Sequence, residues 1–487
     1  MRRSKTAETL ARHPERLRRI REASAAGGTE QVAVLENLTD LGNARRLVAM
    51  HGQDLRYCHA FGKWVIWDGT RWKLDGTGEI TRRMFNVVHQ MYDQAIYDTN
   101  RAQREALGRW AHRCESEGKI CAAISLAQSQ GELVITPDEL DQHPWLLNCE
   151  NGTLDLRTME LHDHRREDFL TQQTGVPYDH SATCPMWNTF LDQITNADGK
   201  IQAFLQRAVG YSLTGLTREQ CIFIFYGTGQ NGKTTFLEAV RTVMGDYQAH
   251  AEFSTFLHDR NRTIRNDLAG LRGKRFVSSI EANPGDRLDE SVVKTVTGGD
   301  PITARFLHKE FFTYLPTYKV FLGVNDKPHI RGSSKGTWRR IRLVPFEVEI
   351  ADEKQDKHLL EKLRPERAGI LAWAVRGLEQ WRDPGLQPPP AVVNATEEYR
   401  EEMDVLGSFL DESCVREPGA YVSAKELYGE YRNHCKRNGE PELTQRDLGL
   451  VLKQRGFVPD RLGKNRTRVW TDLRLIAGQL IARAANP

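Results

Sequence analysis

The apolar positions change their period along the chain, and each change marks a boundary. Up to about residue 30 there is no period: Arg, Lys, Ala, Gly and Ser dominate, which predicts a basic flexible arm over 1–30. Helical spacing over 43–50 and 82–128 encloses a β-hairpin at Trp64–Trp72, turning at Asp68-Gly69. A second hairpin is expected at Trp145–Leu156, turning at Asn151-Gly152. Together these predict an α+β accessory domain over 31–185, with its tryptophans in the core. An amphipathic helical lead-in, Trp187–Leu213, then precedes four short apolar runs: Cys221–Tyr226, Gly273–Glu281, Tyr318–Val324 and Trp338–Phe346. Runs of that length suit buried strands, so 186–385 reads as an α/β domain.

Past Pro384 the run Gln387-Pro388-Pro389-Pro390 predicts a stiff linker and a domain boundary. Over 391–487, a helix is expected from Glu397 to about Glu412. A second is capped by Ser423 and runs to about Arg437, and a third opens at Thr444 and ends near Arg455. Phe457-Val458 and Val469-Trp470 bracket a basic hairpin tip with Arg461, Lys464, Arg466 and Arg468. Helices followed by a basic β-ribbon match a winged-helix domain, its third helix in a groove and its ribbon on phosphates. A solvated interaction module fits the same pattern.

The chemistry concentrates after the first apolar run. Gly227-Thr228-Gly229-Gln230-Asn231-Gly232-Lys233-Thr234 satisfies G-x-x-x-x-G-K-[ST], and Phe236, Leu237, Val240 and Val243 follow at helical spacing. Glycines let backbone N–H groups converge on phosphate oxygens, and the helix N-terminus adds positive charge. Lys233 is expected on the β- and γ-phosphates, the Thr234 hydroxyl on Mg²⁺, and Thr235 beside them in the nucleotide site. The strand ending at Glu281 is expected to lie beside the P-loop strand and to deliver a carboxylate to Mg²⁺ or to the attacking water. Asn325, closing the third strand, either holds water or the γ-phosphate or makes a turn with Asp326. Lys294, Arg305, His308 and Lys309 flank the Gly298-Gly299 turn and suit a phosphate backbone. Arg339 and Arg340 are candidates for an arginine finger offered to a neighbouring subunit.

Composition changes this picture little. The chain has 487 residues, 39% hydrophobic and 27% charged, enough for about three domains. A net charge of +3 identifies no partner, so any basic surface is local. No apolar run is long enough to span a membrane. Eight scattered cysteines without a C-x-x-C pair argue against structural zinc and a disulfide framework, and favour reduced thiols in a cytoplasm. His112 with Cys114, and His162 with His164, lack companions at metal-ligand spacing.

In this order the motifs resemble superfamily 3 helicases, specifically the helicase portion of phage and plasmid primase-helicases, a group that includes poxviral uncoating and replication ATPases. TDLGNARRLVAMHG with WVIWDGTRW looks like the family's N-terminal helicase-associated domain. VVKTVTGGDPITARFLHKEFFTYLPTYKVFLGVNDKP looks like its core, and WRRIRLVPF like its close. The resemblance implies an AAA+ core that binds ATP and Mg²⁺, forms a ring, expected to be a hexamer, around single-stranded DNA, and moves 3′ to 5′ at forks in a bacterial host's cytoplasm. It also implies Glu281 as the Walker B acid, Asn325 as sensor, a DNA-facing hairpin near Lys294 to Lys309, and a separate primase or polymerase as partner. Two departures stand. Ile280 precedes Glu281 where many P-loop ATPases have Asp, and no priming signature is present in a region short for one. An ATP-switched origin-binding or loading protein, or a bifunctional primase-helicase, remain the alternatives to a helicase.

Overall fold

The computed structural model describes residues 37–258, 266–280, 285–305, 311–330, 335–440, 442–463 and 466–476. The predicted basic arm lies outside them. The chain divides into two units, Met1–Gln173 and Thr174–Pro487.

In the first unit, α1 (Asp40–His51) leads into an antiparallel meander of β1 (Leu55–Cys58), β2 (Lys63–Trp67) and β3 (Trp72–Leu74). The β2–β3 turn is set by Asp68, whose Oδ1 accepts the N–H groups of Thr70 and Arg71, each at 2.9 Å. Trp67 pairs with Trp72, which stacks on Phe169 at 5.8 Å and donates its indole N–H to the Arg166 carbonyl. The helical stretch expected over 82–128 is three helices: α2 (Glu79–Tyr97), α3 (Arg101–Cys114) and α4 (Glu117–Ala127). Asn100 restarts the chain by accepting the N–H groups of Ala102 and Gln103. The second hairpin joins β4 (Leu146–Cys149) to β5 (Gly152–Asp155), and β6 (Glu160–His162) completes its sheet. Cys149 pairs with Gly152, so the turn is Glu150-Asn151, one residue earlier than the Asn-Gly pattern predicts. Gly152 serves instead to admit β6, because a Cβ there would stand 2.6 Å from the His162 carbonyl oxygen.

The second unit opens with two helices rather than one lead-in: α5 (Pro185–Ile194) and α6 (Gly199–Ser212). Asn196 and Ala197, at φ 50° and 55°, break the helix, and Asp198 caps the restart. The chain then runs β7 (Ile222–Tyr226), α7 (Lys233–Met244), β8 (Gln248–His250), α8 (Asn266–Ala269), β9 (Phe276–Ile280) and α9 (Glu290–Gly298). A hairpin of β10 (Ile302–Ala304) and β11 (Phe312–Tyr314) precedes β12 (Lys319–Val324), α10 (Lys335–Trp338), β13 (Ile341–Pro345), α11 (Leu359–Leu363) and α12 (Arg367–Trp381). Among the described residues the central sheet is parallel, with order β13-β7-β12-β9-β8. Contrary to expectation, the strand before Glu281 does not lie beside the P-loop strand, because β12 is inserted between them.

Alternation along these strands separates two faces. Phe223, Phe225 and Phe321 turn to one side, where Phe223 and Phe321 stack at 4.5 Å and Phe276 lies 4.6 Å from Phe321. There Phe236 of α7 meets Phe225 at 5.5 Å and Trp187 at 5.3 Å. Helices α6 and α12 close this layer at backbone contact: a Cβ on Gly210 would stand 2.2 Å from the Leu378 nitrogen. The other face presents Ile222, Ile224, Val277, Val320, Leu322, Val324, Ile341 and Leu343 to a second core. Buried cations seal the end of α6. Lys319 Nζ donates to the Leu216 and Thr317 carbonyls at 3.2 and 3.1 Å, and Arg275 to that of Leu213. Burial drives the Lys319 pKa well down.

Beyond the prolines the structure departs from the predicted linker. Pro389 is the N-cap and Pro390 the first residue of α13 (Pro390–Glu402), which lies against β13. Its Thr396 hydroxyl accepts the Leu343 N–H at 3.0 Å, covering an edge strand. The helix expected over 397–412 is two, because the chain turns at Met403-Asp404 before α14 (Val405–Ser413). Next come β14 (Cys414–Ser423), α15 (Ala424–Asn438), α16 (Gln445–Gln454), β15 (Pro459–Leu462) and β16 (Thr467–Leu475). Ser423 and Thr444 cap α15 and α16 as predicted. The three strands form an antiparallel sheet of order β14-β16-β15 over a separate core around Phe409, Tyr431 and Trp470. Replacing Phe321, held among three other rings, with Ala is expected to lower this unit's stability by about 3–5 kcal/mol, measured as a reduced denaturant midpoint.

Candidate active site

Register brings the site together. Tyr226 pairs with Val324 on one side and Pro345 on the other. The next residues, Gly227, Asn325 and Phe346, therefore leave the sheet side by side at its carboxyl edge, where open α/β sheets bind ligands. The loop then turns through Gly229 at φ 112°, Gln230 at 51° and Gly232 at 80°. Gly232 is the N-cap of α7 and offers it no side-chain bond, so the first turn of the helix has no side-chain cap. A Cβ on Gly232 would stand 2.4 Å from Ile194, so a side chain there is excluded.

Lys233 is buried at the start of α7. Its Nζ donates to the Gly227 carbonyl at 2.7 Å, to Asn231 Oδ1 at 2.8 Å and to Asn325 Oδ1 at 3.1 Å. Burial lowers its pKa to about 8. Asn231, predicted as a nucleotide contact, is buried, and its Nδ2 donates to the Phe346 carbonyl at 3.1 Å. Its side chain braces the loop from within. Thr228, Gln230 and Thr234 are exposed and Thr235 is half-buried. Asn325 is exposed and meets the lysine, which joins the predicted sensor to the P-loop. Glu281 lies outside the described residues, although β9 ends opposite Gly323, two residues before Asn325.

The two candidate arginines separate. Arg340 is only 9% exposed; its Nε donates to Thr297 Oγ1 at 3.1 Å and its Nη1 to the Gly336 carbonyl at 2.6 Å. It ties α10 to α9 and is spent within its own chain. Arg339 is exposed. Sequence adjacency could not distinguish them, because the difference is which side chain turns inward.

Of the cationic candidates, Lys294 sits half-buried on α9. Arg305 follows β10, with its guanidinium 4.6 Å from the Phe311 ring, which is 60% exposed. His308 and Lys309 lie outside the described residues. In the last sheet Arg461 stands directly opposite Arg468, and both are exposed with Arg466; Lys464 is outside the described residues. Like charges directly opposed across a ribbon destabilise it unless an anion intervenes. Among the described residues no group of His, Cys, Asp or Glu is arranged to hold a metal, and no helix is long and apolar enough to cross a membrane.

Sequence reasoning missed Lys327. Its ammonium lies 5.0 Å from the Tyr226 ring and 2.7 Å from both Glu402 oxygens. Its partner is on another element 75 residues on, beyond the reach of any local pattern.

Residues 44–196 match the family described as D5 N terminal like, and 225–340 match a family of unknown function, DUF5906. A protein of Acanthamoeba polyphaga mimivirus provisionally named a helicase is 27% identical over 61% of this chain and 34% of its own length. One from African swine fever virus, provisionally named a primase, is 25% identical over 65% of this chain and 36% of its own. The chain thus spans about a third of the length of these curated relatives. The apo structure of the NrS-1 C terminal region aligns with 90% of this chain and 100% of its own, at 10% identity and a TM-score of 0.49.

A polyphosphate beside Lys233 favours its charged form. Above pH about 8 and below the ordinary lysine value of about 10.4, nucleoside triphosphate binding is therefore expected to take up a proton. Calorimetry in buffers of different ionisation heat measures this; binding without uptake in that range would mean that the amine does not meet phosphate.

Proposed function

We propose that the chain, a member of the D5-type superfamily 3 primase-helicase family, is an ATP-driven replicative DNA helicase of a phage, prophage or plasmid. The observation that carries the reading is the Lys233 amine, held by the Gly-rich loop and by Asn325 from the adjacent strand. That arrangement suits a site that binds a triphosphate and registers its γ-phosphate. The strand order β13-β7-β12-β9-β8 supports an AAA+ core, and the C-terminal helices with their cationic ribbon support a winged helix.

In this reading the β- and γ-phosphates of ATP lie against Lys233 and the N-terminal N–H groups of α7. Thr234, exposed in the first turn, and Glu281 are the residues that would hold Mg²⁺, which neutralises charge on the transferring phosphoryl group. Asn325 orients the attacking water or the γ-phosphate. Arg339 reaches the nucleotide of the next protomer in a ring, proposed as a hexamer. Hydrolysis shifts the β10–β11 hairpin, carrying Arg305 and Phe311, and draws single-stranded DNA 3′ to 5′ through the assembly. The aromatic face and guanidinium there suit a base and its phosphate. A separate primase or polymerase would supply synthesis.

Three substitutions test this. Lys233→Ala is expected to abolish nucleotide binding and strand separation on a forked duplex. Arg339→Ala should bind ATP normally yet lose turnover by on the order of 10³ to 10⁵. Arg340→Ala should act through the α9–α10 tie, lowering the unfolding temperature. Mixing Lys233→Ala with Arg339→Ala protomers should restore some hydrolysis, since a mixed ring holds intact seams. Normal ATPase in Arg339→Ala would refute the shared site, and ATPase without unwinding would favour a loading protein.

A further inference from the structure

The segment after Asn325 is held by a helix from elsewhere. Lys327, with a side chain 17% exposed, points its ammonium between the rings of Tyr226 at 5.0 Å and Tyr399 at 5.8 Å, with Glu402 at 2.7 Å. Tyr226 immediately precedes the P-loop, and Lys327 follows Asn325 by two residues. Tyr399 is fully buried and its hydroxyl donates to the Pro328 carbonyl. The same ring meets Trp338 edge-on at 5.2 Å, and Trp338 is the residue before Arg339. Helix α13 thus touches both the segment carrying Asn325, which serves the protomer's own site, and the segment carrying Arg339, which faces outward. Its far end is fixed as well: Asp404, two residues past Glu402, caps α14 through the Gly407 N–H at 3.0 Å and pairs with Arg455.

We propose that Lys327, clamped by Tyr226, Tyr399 and Glu402, is a positioning residue through which α13 couples Asn325 in one site to the Arg339 offered to the next. The inference rests on the ATPase reading above. A cation between two aromatic faces and a carboxylate has one well-defined seat. Displacing it frees Asn325 relative to Lys233 without touching the phosphate-binding loop. The expected signature is therefore a loss in kcat with nucleotide affinity kept, which simple unfolding would not produce.

The experiment uses the full chain with single-stranded DNA and ATP, measuring kcat, KM, nucleotide Kd and unfolding temperature together. Lys327→Met and Glu402→Gln should each lower kcat about tenfold, and the double variant should be no worse than either single one. Lys327→Arg, which keeps the cation, should restore most of the turnover. Glu402 is half-exposed, so Glu402→Gln leaves folding intact and keeps the test valid should Lys327→Met be unstable. Unchanged kcat in both singles, additive losses, or a matching loss of nucleotide affinity would overturn the proposal while leaving the ATPase reading standing. A wild-type chain that hydrolyses no ATP, with or without DNA, would overturn both.

Discussion

The Lys233 ammonium is the point where three otherwise separate segments meet: the start of the P-loop, its middle and the end of β12. A buried cation must find partners or lose its charge, and here the partners are all oxygens at one edge of one sheet. That requirement fixes the loop around the amine. It also explains why Asn231 is turned inward, since the same amide satisfies both the amine and the Phe346 carbonyl. In the proposed ATPase, arriving phosphate oxygens would exchange for oxygens already in place around the amine.

The sheet beneath makes this possible because its two faces do different work. The aromatic face, stacked through Phe223, Phe321 and Phe276, packs against α7 and holds the helix that carries Lys233. The aliphatic face packs against α9 and α13, the elements next to the outward-facing arginine. Both layers converge on β7 and β12, which lead directly into Gly227 and Asn325. Placing β12 between β7 and β9 is what sets Asn325 next to the P-loop.

The P-loop, its strand and its helix were legible because all their determinants lie within about two dozen consecutive residues. The caps at Ser423 and Thr444 were legible for the same reason. Parallel strand order was not, since it depends on pairing between segments separated by whole helices and loops. The prolines misled because Pro at a first helical position and Pro in a linker look alike until a packing surface is known. The long helical stretches were resolved into several helices by Asn100, Asp198 and Asp404, single polar residues that a periodicity count passes over. Of the site, residue types were readable and side-chain direction was not. Asn231 and Arg340 turn inward, Thr234 and Arg339 outward, and only burial decides.

The facing pair Arg461 and Arg468 sets two like charges opposite one another in the C-terminal ribbon. Two guanidinium groups held across a ladder repel one another in water, and a chain of phosphates laid along them removes the repulsion. In the proposed helicase, attraction to polyanion there would be partly relief from that repulsion, indifferent to base order and weakened by mobile ions. Under the proposed function, the ribbon would thereby suit gripping a strand that must also slide.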